Sequence, residues 1–181
     1  SANVITSDGL NGASSQTWIV SNNTVTSNAW PASFGNPGGA AWKPGGTYGV
    51  VTGVSSNKLY VFNGSWNKAT LPVGTAASPN AVSWRHDGKR ALIVGRAIGS
   101  PLSATIIEHR PGANGGFDSL FVDQSIINFE SAPFFGHGNM HLLDVAWRPN
   151  SVCDEGLIVG SDKGSSFNPA FGLIIYYYDT A

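Results

Sequence analysis

Val82-Ser83-Trp84-Arg85-His86-Asp87-Gly88, followed by Arg90-Ala91-Leu92-Ile93-Val94-Gly95, decides how this chain folds, because the same arrangement occurs three times. Upstream stands Ala40-Ala41-Trp42-Lys43-Pro44-Gly45-Gly46 with Tyr48-Gly49-Val50-Val51-Thr52-Gly53. Downstream stands Val145-Ala146-Trp147-Arg148-Pro149-Asn150 with Glu155-Gly156-Leu157-Ile158-Val159-Gly160. From Trp to closing Gly the interval is 11, 11 and 13 residues, so the third copy carries a turn longer by two. Self-similarity over units of some tens of residues is the mark of a repeat architecture, in which stacked units bury a core that none could bury alone.

Each copy reads as a β-hairpin. Pro44-Gly45-Gly46, Asp87-Gly88 and Pro149-Asn150 supply the fixed or positive φ that tight turns need. The strand after each turn is a continuous apolar run, as in Leu92-Ile93-Val94, which implies burial on both faces. Third strands follow at Lys58–Phe62, Ala104–His109 and Gly172–Asp179, and fourth strands at Trp66–Leu71 and Phe117–Gln124. No window of helical length shows a clean 3.6-residue period. The residue before each Trp is small (Ala41, Ser83, Ala146) and faces opposite to it on a strand. That leaves room for the Trp of an adjacent sheet.

Short strands grouped in fours, about 40 residues per group, describe the blades of a β-propeller. The pattern Trp-Lys/Arg-Pro-x-Gly, then apolar-Val-Gly, resembles WD40-like and related bacterial β-propeller repeats over about residues 40–181. The Gly-His opening and Trp-Asp ending of the WD40 family proper are absent. The expected fold is therefore all-β: four-stranded antiparallel blades, about three per chain, in a single domain over residues 1–181. Strand-like segments at Thr17–Ser21 and Thr24–Trp30 are surplus at the start, and the last copy lacks a fourth strand, so residues 17–30 are expected to complete a terminal blade. Three blades are too few for a ring, which needs about four to eight. Two arrangements remain: a homodimer closing a six-bladed ring, or a piece of a longer propeller.

Composition narrows the partners. Ten basic against eleven acidic residues give a net charge of −1, which leaves no surplus to neutralise a phosphate backbone, so nucleic acid is not expected. No apolar run approaches the ~20 residues of a membrane-spanning helix, so no membrane partner is expected either. The single Cys153 can form no internal disulfide, and the Asp154-Glu155 that follows it disfavours a thiolate. Low charge and loops rich in Ser, Thr, Asn and Gly lean slightly toward an exported protein, while the sequons at Asn22 and Asn63 are what chance supplies in so Asn-, Ser- and Thr-rich a chain.

The propeller resemblance implies that loops entering the innermost strand and loops between second and third strands share one face. Here those loops are long and polar, at 54–57, 96–103, 161–171 and 134–144. They carry Arg96, Lys163, Phe134, Phe167, His137, His141 and Asp144, the candidate ligand-binding residues. His137, His141 and Asp144 also have ligand chemistry suited to zinc. The glycines at 136 and 138 oppose the helix that His-x3-His would need, so hydrogen-bonding loop histidines are the plainer expectation, and no metal or other cofactor is assigned. Lys43, Arg85 and Arg148 follow the Trp in every copy. In a ring they form channel-rim cations able to hold an anion, or they are turn residues whose stems cover the Trp. No nucleophile elbow, Walker loop, metalloprotease motif or dinucleotide fingerprint is present, so no catalytic residue is assigned. The expected function is a non-enzymatic binding module for a protein or peptide, or for a glycan, on the long-loop face. The alternative is a glycosidase or lyase with carboxylates such as Glu108, Glu130 and Asp144 and a His at the channel mouth.

Overall fold

A computed structural model describes residues 2–7, 16–21, 24–29, 36–46, 48–54, 58–69, 77–97, 104–111, 117–122, 140–149, 154–162 and 171–179. All regular structure among them is β. The strands are β1 (Ala2–Ser7), β2 (Gln16–Ser21), β3 (Thr24–Ala29), β4 (Asn36–Trp42), β5 (Gly49–Val54), β6 (Lys58–Phe62), β7 (Trp66–Ala69), β8 (Ala77–Trp84), β9 (Ala91–Ala97), β10 (Ala104–Pro111), β11 (Phe117–Val122), β12 (Met140–Trp147), β13 (Asp154–Asp162) and β14 (Phe171–Asp179). They form four antiparallel up-and-down sheets: β1-β2-β3, β4-β5-β6-β7, β8-β9-β10-β11 and β12-β13-β14. The three repeat copies are the second, third and fourth sheets.

The first sheet was not counted by the repeat. Within this chain β2 and β3 pair with β1, and the fourth sheet ends at β14. The first strand of the β1–β2 hairpin does not end on a Trp, as the first strand of every other copy does, so it lacks the residue that marks the repeat. Its register nevertheless runs from Ala2↔Ser21 to Ser7↔Gln16 without a shift.

The turns form as their residues dictate. Gly46 N–H donates to Lys43 O at 2.9 Å across Pro44-Gly45, and Gly88 N–H donates to Arg85 O at 2.9 Å across His86-Asp87. Gly45, Gly46 and Gly88 have φ of 98°, 74° and 70°, values that L side chains rarely adopt.

The first strands lie side by side in the order β1, β4, β8, β12, so the sheets stack face upon face. Between the second and third sheets, Tyr48, Val50, Leu59 and Val61 pack against Val82, Trp84, Ala91 and Ile93. Between the third and fourth, Ala81, Leu92, Val94 and Ile106 meet Leu142, Val145, Trp147 and Ile158. The continuous run Leu92-Ile93-Val94 is buried on both faces for this reason. Leu157-Ile158-Val159 has the same chemistry, yet only Ile158 is buried, because among the described residues no sheet covers the far side of the fourth.

The small residue before each Trp does more than leave room. Trp84 Nε1–H donates to the carbonyl of Ala41 at 3.1 Å, and Trp147 Nε1–H donates to the carbonyl of Ser83 at 2.9 Å. Each repeat Trp thus fastens its sheet to the backbone of the preceding one, two carbonyls related by the repeat. Trp42 stands first in the series. Its Nε1 is buried without a hydrogen-bond partner among the described residues, while its ring packs edge-on against Phe62.

Every first strand of the repeat also carries a β-bulge four residues before its Trp. The register shifts between Pro37 and Ala40, Pro79 and Ala81, and Leu142 and Asp144. The closing glycines face these bulges: Gly53, Gly95 and Gly160 pair with Pro37, Pro79 and Leu142. A Cβ on Gly95 would overlap the Ser78 carbonyl oxygen, and one on Gly160 would overlap that of His141. The end of the motif is therefore Gly because a bulged backbone passes too close for any side chain.

Substitution separates these roles. In urea unfolding, Trp84→Phe and Trp147→Phe each cost about 1–3 kcal/mol through the lost indole bond and part of the ring. Trp42→Phe costs less, since no bond is broken there. Gly95→Ala and Gly160→Ala each lower stability by about 1–3 kcal/mol or more through forced backbone displacement.

Candidate functional site

Two ends of the stack carry the sequence's candidate residues. At one end the first strands begin and the second strands finish. Three connected hydrogen bonds tie the bulges together just inside it. Gly39 N–H donates to Thr52 Oγ1 at 2.8 Å, Thr52 Oγ1–H donates to the Asn80 carbonyl at 3.0 Å, and Asn80 Nδ2–H donates to the Leu142 carbonyl at 2.7 Å. This belt runs from β5 through β8 to β12 and keeps the three sheets in phase. Thr52 is fully buried, so its hydroxyl has to be satisfied by such partners. Asn80 occupies the bulge position itself, which leaves its amide free to reach the next sheet. A repeat-by-repeat reading gives no sign of this, because Gly38, Asn80 and Leu143 share the position without sharing chemistry.

At this end the structure places Arg96 near the end of β9, paired with Ser78 on β8 and Ala104 on β10. His141 lies at the start of β12, half-buried and paired with Ser161. His137, Lys163, Phe134 and Phe167 lie outside the described residues, as do Glu130 and Cys153. Asp144 is exposed, and its Oδ1 accepts a hydrogen bond from Val145 N–H at 2.8 Å. It pairs with Val159, on the far side of the bulge from His141. His141 and Asp144 thus pair with Ser161 and Val159, two apart on β13, so the bulge sets on one face two residues that a regular strand would put on opposite faces. Among the described residues no three His, Cys, Asp or Glu side chains gather into a metal-holding group. Glu108 lies in the middle of β10, opposite Leu92 on β9 and Phe121 on β11.

The cations after each Trp lie at the opposite end. Arg85 pairs with Asp87 of its own turn, with Nε to Oδ1 at 2.8 Å, and this bond holds the Asp87 carboxyl down to about 2. Arg148 pairs with Glu155 across its own hairpin at 2.6 Å. The Lys43 stem lies over Gly88 in the next sheet's turn, where an added Cβ would come within 3.1 Å of it. Two of the three cations are thus matched by a carboxylate from their own hairpin, and the field available to an external anion is correspondingly weak.

Near this end the structure adds a buried polar group that the sequence reading did not single out. His109 on β10 is fully buried between the second and third sheets. Its Nε2 and the Tyr48 hydroxyl are hydrogen-bonded at 3.1 Å, the two rings stack with centroids 5.9 Å apart, and the Trp84 ring meets His109 edge-on at 5.6 Å. Burial first, and the Lys43 ammonium second, push the imidazole from 6.5 down to about 3. Burial also raises the Tyr48 phenol. Both groups are neutral at neutral pH, which suits a dry junction. A His closing an apolar strand is the only trace of this group in the sequence.

No family model matches the sequence, and no curated protein matches it. Solved structures do. Hydrazine synthase of Kuenenia stuttgartiensis is similar at 14% identity and a TM-score of 0.43, over 90% of this chain and 56% of that one. A protein from Lactobacillus plantarum is similar at 12% identity and a TM-score of 0.48, over 97% and 59%. A structure described as the eukaryotic initiation factor is similar at 11% identity and a TM-score of 0.38, over 97% and 42%. The chain spans less than two thirds of the length of each of these proteins.

The buried imidazole gives a signed pH dependence. Between pH 6.5 and about 3 the unfolded chain binds a proton at His109 that the folded chain refuses. Stability present above pH 6.5 is therefore lost as pH falls through this window, by about 3–5 kcal/mol across its full width. Urea midpoints measured across the window fall more steeply for the native sequence than for His109→Phe, and the difference between the two profiles isolates this group.

Proposed function

We propose that the four sheets are blades of a β-propeller and that the chain acts as a non-enzymatic binding module. The ligand is a protein or peptide segment, with a glycan as the second class. It docks where the first strands begin and the second strands finish. One observation carries the reading: β4, β8 and β12 lie side by side with their bulges in phase, tied by the Thr52, Asn80 and Leu142 belt. Such a belt is a rigid platform, and connections entering or leaving the strands there include the long segments 98–103, 123–139 and 163–170. Binding residues concentrate on loops held by a rigid scaffold. The slight net negative charge, −1, favours a ligand that is not strongly anionic. The enzyme alternative needs two proton-transferring groups within reach of one substrate, and no observation favours it over binding.

Selection of peptides from a random display library, alongside a glycan array, tests the reading on the immobilised chain. The expected outcome is an enriched ligand whose affinity falls about tenfold or more with His141→Ala or Arg96→Ala, a change of about 1.4 kcal/mol. Lys68→Ala, on the exposed outer strand β7, leaves it unchanged. Absence of any enriched peptide or glycan, or equal losses in all three variants, overturns it.

A further inference from the structure

Two turns among the described residues place a Gly directly after Asn or Asp: Asn63-Gly64 between β6 and β7, and Asp87-Gly88 between β8 and β9. Both glycines have positive φ, 104° and 70°. Such pairs share one reactivity. The Gly nitrogen can attack the side-chain carbonyl carbon of the residue before it, because both belong to one short stretch of chain and no Cβ stands in the way. Three conditions govern the step: an electrophile with a leaving group, a free Gly N–H, and donors at the oxygen that gains charge. At Asp87 the first two fail. Arg85 grips its two oxygens at 2.8 and 2.5 Å and holds the carboxyl ionised, and a carboxylate is a poor electrophile. Lys89 N–H fixes the same side chain, donating to Oδ1 at 2.9 Å. The Gly88 N–H is committed to the Arg85 carbonyl at 2.9 Å. Gly88 is also buried, under the Lys43 stem and the Pro44 ring.

At Asn63 all three conditions are met. Asn63, Gly64 and Ser65 are exposed, and the side chain is a neutral amide whose nitrogen can leave as ammonia. The Gly64 N–H makes no hydrogen bond among the described residues, and nothing lies within 4 Å of where a Cβ on Gly64 would stand. Asn63 Oδ1 accepts from Asn67 Nδ2–H at 3.0 Å and from the Ser65 hydroxyl at 3.5 Å. Asn67 is itself held in place, since its Nδ2–H also donates to the Ser65 carbonyl at 3.2 Å. These donors already point at the oxygen on which negative charge builds during attack. We propose that Asn63 is a site of spontaneous deamidation, with Asn67 as the donor that steadies the charged oxygen. The Gly64 nitrogen gives its proton to hydroxide and bonds to Asn63 Cγ. The Cγ–Nδ2 bond breaks, and the departing nitrogen takes a proton from water and leaves as ammonia. Water then opens the resulting succinimide at either carbonyl, which yields aspartate and isoaspartate. Neither step changes an oxidation state or uses a second protein. A neutral amide becomes a carboxylate. In the isoaspartate product the backbone also gains a carbon between Phe62 and Trp66, whose rings pack 5.0 Å apart across the turn.

The test is mass spectrometry of the full folded chain, aged in mildly alkaline buffer and then digested with trypsin. Cleavage after Lys58 and Lys68 separates Asn63 from the other Asn-Gly pairs of the sequence, Asn11-Gly12 and Asn114-Gly115. The expected outcome is exchange of NH2 for OH at position 63, with isoaspartate in the product. Its rate rises with hydroxide concentration, and Asp87 stays aspartate over the same period. Asn67→Ala, at an exposed position, leaves the circular dichroism unchanged and slows the reaction about three- to tenfold, the effect of one lost donor. Asn67→Asp keeps the shape of the side chain, offers only acceptors, and slows the reaction at least as much. No isoaspartate at position 63 overturns the inference, and so does isoaspartate that forms as fast at position 87. Equal rates in the native sequence and both Asn67 variants overturn the role of Asn67.

Discussion

An indole N–H aimed at the backbone of the neighbouring sheet is the contact on which the stack depends. A twisted four-stranded sheet has two apolar faces and no means of fixing how the next sheet slides across it, because apolar contact has no direction. The bonds from Trp84 to Ala41 and from Trp147 to Ser83 supply the missing direction. Each joins the end of one first strand to the end of the one before it, so successive sheets share a phase. The bond is possible only because the accepting residue is small: a larger side chain at Ala41 or Ser83 would hold the indole away from the carbonyl.

A second constraint works at the other end of the same strands. The bulges four residues before each Trp bring Asn80 and Leu142 within hydrogen-bonding range of adjacent sheets, while Gly39 donates to Thr52 of its own sheet. The closing Gly95 and Gly160 are the cost of that approach. Indole bonds at one end and amide bonds at the other clamp a layer of fully buried Val, Leu and Ile between them. His109 and Tyr48 add a neutral polar pair to the core between the second and third sheets. That pair suits a medium in which charge is expelled.

The open face of the fourth sheet follows from the same logic. Leu157, Val159, Ile174 and Tyr176 have the chemistry of a junction and the exposure of a surface. Soluble proteins seldom leave such a patch uncovered. The tyrosine run 176–178 reads from the sequence as packing between sheets, yet Tyr176 is exposed, with no described sheet over it.

The repeat of Trp, turn and apolar strand specifies local structure closely: the third strands Lys58–Phe62, Ala104–His109 and Gly172–Asp179 differ from the observed ones by at most two residues at an end. Periodicity and turn chemistry act over a few residues, so they can be read one segment at a time. The first sheet escaped because it obeys the same register without the marker residues. Of the candidate site, Arg96, His141 and Asp144 read from the sequence as loop residues, and the structure sets them within β9 and β12. That His141 and Asp144 share a face was not legible, because a one-residue bulge changes which face every later side chain occupies. The same holds for the Thr52–Asn80 belt, the burial of His109 and the local pairing of Arg85 and Arg148. Each depends on which backbone atom of another sheet comes within about 3 Å, the range of a hydrogen bond, and only the stacking of the sheets determines that.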